Sequence, residues 1–110
     1  MTEDALDDLE RDIDIAALQA QRLADANHLE RLELEVRRTK SLRWLAGREC
    51  RHWAGLLSRS RRHPRLCQEI DAWLSDARLR FARADVAFLE ASAEAVQWLD
   101  RLAESEGRPE

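Results

Sequence analysis

The sequence predicts an all-α protein folded as a long antiparallel helical hairpin, and three observations carry that expectation. The first is composition: Gly occurs three times and Pro twice in 110 residues, Tyr is absent, and Leu, Ala, Glu and Arg dominate, a set that favours helix over strands and turns. The second is the recurrence of apolar residues at steps of three and four. The third is Ser58 to Pro64, SRSRRHP, which lacks apolar residues and places His63 before a proline that disfavours helix there. One small domain over 1–110 is expected, with little margin of stability unless it finds a partner.

The first element is an acidic N-terminal helix, about 4–25 within the segment 1–26, where Leu6, Leu9, Ile13, Ala17, Ala20 and Ala24 share one face. A second helix, about 28–60 with a bend near 40, follows from two shifts of the apolar face: to Leu29, Leu32 and Val36, then to Leu42, Ala46, Trp53 and Leu57. The third is the long C-terminal helix, about 64–105 and covering the segment 66–106. Leu66, Ile70, Trp73, Ala77, Phe81, Ala84, Phe88, Ala91, Ala95, Trp98 and Leu102 step along it with one stutter between Ala77 and Phe81. Pro64 suits its first turn, and Gly107 with Pro109 ends the pattern.

If 58–64 is the hairpin turn, facing residues have numbers adding to about 125. The pairs Leu57 with Leu66, Trp53 with Ile70 or Trp73, Leu42 with Ala84, and Val36 with Phe88 then join apolar to apolar, large often meeting small. That arithmetic leaves residues 1–20 beyond the partner helix. It also leaves Leu74, Leu89, Val96 and Leu99 beside the main stripe and poorly covered. A homodimeric helical bundle of coiled-coil type with isologous symmetry answers both problems.

Charge is segregated along the chain. Residues 37–65, the basic segment and turn, hold ten Arg or Lys and only Glu49, a formal +9, against −8 over 1–36 and −5 over 66–110, for a net −4. Arg37, Lys40, Arg48, Arg51, Arg59 and Arg62 fall within one stripe of a helix. A solvated face usually mixes both signs, so a stripe of one sign is a candidate binding surface. Trp44 points into that stripe, as an interface anchor, a base-stacking platform or a cation–π partner; a bend near Ser41 would instead turn it into the core. The acidic arm itself, in its own or a sister chain, is an alternative occupant of the basic stripe.

Cys50, His52, His63 and Cys67 are zinc-type ligands, but their spacing on antiparallel helices separates them, so neither metal nor disulfide is expected. There is no phosphate-binding glycine loop, nucleophile elbow, HExxH or paired Glu-x-x-His, so no enzyme and no cofactor are expected either. The acidic N-terminus and the short apolar runs argue against a signal peptide or membrane span, placing the chain in the cytoplasm with free thiols. Arg outnumbers Lys 17 to 1, which fits a GC-rich bacterial or phage genome.

The function these features favour is that of a small regulatory or adaptor protein. It would act by protein–protein binding through Leu6, Leu9, Ile13, Arg37, Trp44, Arg48, Arg51, Arg59 and Arg62, for instance as an anti-activator sequestering a transcription factor. Nucleic-acid binding by the basic face of 37–65 is the second choice, since the acidic arms would repel a phosphate backbone.

Overall fold

A computed structural model describes residues 3–107 and shows two α-helices, α1 (Glu3–Arg59) and α2 (Pro64–Gly107), with no strand among the described residues. The separate helices expected over 4–25 and 28–60 are a single element, and the expected bend near 40 does not interrupt it. The sequence is compatible with this: no Gly or Pro occurs before Gly47, and the weaker helix formers Asp25, Asn27, Thr39 and Ser41 each cost only a fraction of a kcal/mol, about 0.7 at most, which does not break a helix. Pro109, the expected terminator, lies outside the described residues.

The chain divides into two compact units, Met1–Arg31 and Leu32–Glu110. In the first, Glu3 and Asp4 occupy the opening turn of α1, where negative charge complements the helix dipole. Local pairs such as Gln21 with Asp25 (2.9 Å) and Arg11 with Asp8 (3.5 Å) decorate its surface. Every residue from Glu3 to Ala24 is exposed. Leu6, Leu9, Ile13, Ala16, Ala20 and Leu23 recur at strict three- and four-residue steps, the spacing of a coiled-coil seam.

The second unit is an antiparallel hairpin. Its α1 seam runs through Leu32, Val36, Thr39, Arg43, Ala46, Cys50, Trp53, Leu57 and Ser60, all buried or half-buried and spaced four and three apart. The α2 seam follows the same rule through Cys67, Ile70, Leu74, Ala77, Phe81, Ala84, Phe88, Ala91, Ala95, Trp98 and Leu102. Facing seam positions have numbers adding to about 127, as in the Ser60–Cys67 contact, and the flanking Gly47 lies close to Phe81 in the same alignment. Ile70, Leu74 and Ala77 form the most buried part of the core, and each large side chain there contributes on the order of 1.5–3 kcal/mol.

Several expected core positions change place. Leu42, Leu66 and Trp73 are exposed, and Arg43, Cys67 and Leu74 take the seam instead. The expected stutter between Ala77 and Phe81 disappears, because choosing Cys67 and Leu74 restores an unbroken heptad. Trp73 flanks the seam, its ring 5.0 Å from that of Trp53. Leu89, Val96 and Leu99 are uncovered as expected.

Polar seam residues are satisfied locally. Thr39, 1% exposed, donates its hydroxyl to the carbonyls of Glu35 (2.8 Å) and Val36 (3.1 Å), a back-bond that lets a threonine sit inside a helix. At the turn, the buried Ser60 carbonyl accepts from the His63 N–H (2.9 Å) and the Cys67 thiol (2.7 Å), and the Cys67 N–H donates to the His63 carbonyl (2.9 Å). Pro64 then opens α2 where its missing N–H costs nothing.

Candidate functional site

Within the hairpin, seam geometry sorts the charges to two sides. Lys40, Gly47, Ala54 and Arg61 each follow a seam residue by one position and share one flank; Glu35, Leu42, Glu49 and Leu56 each precede one and share the other. On the second flank Glu49 accepts from Arg80 (2.7 Å) and lies 3.4 Å from the Trp53 indole nitrogen. Glu35 grips Arg38 through two hydrogen bonds of 2.6 and 3.0 Å. That hydrogen bonding lowers the Glu35 carboxyl and raises Arg38 from their ordinary values, so both stay ionised and the Arg38 charge already has a partner.

The first flank carries the candidate site. A groove of about 310 Å³ is lined by Lys40, Arg43, Trp44, Gly47, Arg51 and Phe81. Trp44 is 57% exposed and forms one wall, with the Arg48 guanidinium 5.6 Å from its ring centroid. No bend turns it into the core. Gly47 keeps the floor open: a Cβ there would lie 3.3 Å from Cε2 of Phe81. A second groove of about 350 Å³ continues along the same flank between Ala54, Ser58, Arg61 and Arg78. A larger open depression is formed by the consecutive residues Arg62 to Leu66, at the end of the turn and the start of α2.

Arg43 is the pivot of the first groove. Its Nε lies 2.8 Å from Asp85, and its guanidinium stands 5.2 Å from the Phe88 ring centroid and 6.0 Å from that of Phe81. This arginine is therefore committed to the hairpin. Lys40 and Arg51 make no ion pair among the described residues, leaving two uncompensated cations beside an exposed indole. Such a groove accepts a carboxylate or phosphate together with an apolar or aromatic group.

Of the residues expected to bind a partner, the fold gathers Trp44 and Arg51 around the groove and stacks Arg48 behind Trp44. Arg37, Arg59 and Arg62 are exposed but do not line it. Leu6, Leu9 and Ile13 are exposed on the first unit, between 46% and 59%. Sequence reasoning missed Arg43, Gly47 and Phe81. A heptad count carried back from Ile70 through the turn lands on Leu42 and not on Arg43, so the phase of α2 does not reveal the register of α1.

The four possible zinc ligands are otherwise engaged or apart. Cys50 and Cys67 are free thiols, the latter bonded to the turn, and His52 packs edge-on against Trp53 at 5.0 Å. Among the described residues no group of three His, Cys, Asp or Glu side chains is placed to hold a metal, and no helix is long and apolar enough to cross a membrane. No protein-family model, curated protein or solved structure matches the chain.

Proposed function

We propose that this chain is a small bacterial or phage adaptor or regulator that works in the cytoplasm, as a homodimer, by binding another protein. The observation that carries the reading is the seam of Leu6, Leu9 and Ile13, continued by Ala16, Ala20 and Leu23 on a helix exposed at every residue from Glu3 to Ala24. An isolated helix gains little from propensity alone and is stabilised mainly by covering an apolar face. Heptad spacing suits a partner helix, and the acidic surroundings of this seam favour a basic one. The groove beside Trp44, with Lys40 and Arg51 lining it and Arg48 behind the indole, offers a second contact for an acidic, aromatic-bearing segment, and Arg37, Arg59 and Arg62 add exposed positive charge elsewhere on the hairpin. Sequestration of a transcription factor by such surfaces is one form this activity would take.

Full-length protein used as bait in an extract of its native host should retain one protein reproducibly. Leu9→Asp with Ile13→Asp should abolish that retention while far-UV circular dichroism stays helical. Retention unaffected by both changes would remove the first surface from the reading. Nucleic-acid binding is the second reading, favoured by Lys40 and Arg51 standing uncompensated beside an exposed indole. It would be established by DNA or RNA binding that weakens steeply with salt and vanishes in Arg48→Glu with Arg51→Glu.

A further inference from the structure

α2 carries a second seam on its outer surface. Leu79, Ala82, Val86, Leu89, Ala93 and Val96 recur at steps of three and four, all exposed, the four larger ones at 50–57%. A helix with seams on two sides belongs to a bundle of more than two helices. The identity of the occupant is written in the flanking charges.

We propose that this outer seam is the homodimer interface, and that a second copy docks on it antiparallel, α2 against α2, about a two-fold axis between Val86 and Leu89. The inference rests on the homodimer reading above and specifies its surface and orientation. Antiparallel seams pair positions whose numbers have a constant total. In the hairpin, Ser60 faces Cys67, and the flanking ion pair Glu49–Arg80 is offset from that total by two. Applied to two copies of α2, the same rule pairs Leu79 with the partner's Val96, Ala82 with the partner's Ala93, and Val86 with the partner's Leu89. Large residues then meet across the axis, and two alanine pairs allow close approach.

The offset of two then places Arg83 opposite the partner's Glu90, and by symmetry Glu90 opposite the partner's Arg83. Both side chains are exposed and make no ion pair among the described residues. A parallel pairing of the same seam would instead set Arg78 against the partner's Arg83 and Asp85 against the partner's Glu90, like charges in both cases. The charges therefore reject one orientation and support the other, as e and g positions do in coiled coils.

Sedimentation of the full-length chain at low salt, where exposed ion pairs are least screened, tests this. Wild type should be a dimer at micromolar concentration. Arg83→Glu and Glu90→Arg should each weaken self-association by about tenfold, since each turns two attractive contacts into two repulsive ones. An equimolar mixture of the two variants should recover dimer, because both contacts are attractive again in the mixed species. Val86→Asp should give a helical monomer; the two charge variants lie outside the hairpin seam and keep the test decisive should Val86→Asp unfold. A wild-type monomer would overturn the homodimer reading as a whole. A dimer indifferent to all three substitutions, or variants whose mixture stays monomeric, would overturn this seam and orientation alone.

Discussion

The two glycines inside α1 offer an internally controlled measure of how firmly the groove floor is built. A Cβ on Gly55 would have nothing within 4 Å, whereas a Cβ on Gly47 would meet Cε2 and Cδ2 of Phe81 at 3.3 and 3.6 Å. Alanine is about 1 kcal/mol better than glycine in a helix interior. Gly55→Ala should therefore stabilise the protein by about that amount and raise Tm by about 4 °C. Gly47→Ala gains the same propensity but must displace the Phe81 ring by a few tenths of an ångström, and that ring stands beside the Arg43 guanidinium. Crowding a packed aromatic costs on the order of 0.5–1 kcal/mol at this mild overlap, below the ~1–3 kcal/mol of full overpacking. The net change for Gly47→Ala should fall within about 0.5 kcal/mol of zero. Urea titration of both variants by circular dichroism reads the difference. Equal gains would show that Phe81 yields freely and that the groove has no fixed floor; no gain from Gly55→Ala would contradict an open helical environment at that position.

Three further outcomes follow from the seam. Ile70→Ala, at a position with 0% exposure, should cost about 2–5 kcal/mol and sharply lower the urea midpoint. Thr39→Val should be neutral or stabilising by about 0–1 kcal/mol, because the two carbonyls its hydroxyl bonds lie in the α1 backbone and the valine keeps the volume; a loss above about 2 kcal/mol would mean the hydroxyl has a further structural role. Arg43→Leu should keep or raise stability while Arg43→Ala lowers it by about 1–3 kcal/mol. A double-mutant cycle with Asp85→Ala should then assign the half-exposed ion pair a coupling no larger than about 1 kcal/mol.

Much of the hairpin is legible in the sequence, because the signals of α2 and of the turn are local. Pro64 starts α2, the absence of apolar residues marks the connection, and α1 ends at Arg59, within the stretch expected to turn. The register of α1 is not local. Hydrophobicity assigns Leu42 to the core and Arg43 to solvent, yet the seam reverses them. The guanidinium of an arginine stands beside the rings of Phe81 and Phe88 and reaches Asp85, and a leucine one position earlier is left on the flank. Thr39 misleads in the same way, since its hydroxyl is satisfied by its own helix. Two polar residues at seam positions look like a change of face, and the shift suggests a bend that the helix does not need. Trp44 is ambiguous in the sequence for the same reason: its direction follows from the register once Arg43 is placed.

Arg43 also acts as a key in a lock. A heptad hairpin is indifferent to sliding by seven residues, because apolar positions still meet apolar positions after the slip. Such a slip would carry Arg43 from Asp85 to Arg78 or Ser92, and Glu49 from Arg80 to Trp73 or Ala87. Each shifted alignment loses both ion pairs, and one of them sets two arginines against each other. A polar seam residue, with the Glu49–Arg80 pair on its flank, thus distinguishes this alignment from the shifted ones. Any binding surface assembled from both helices, the groove beside Trp44 included, depends on that alignment for its shape.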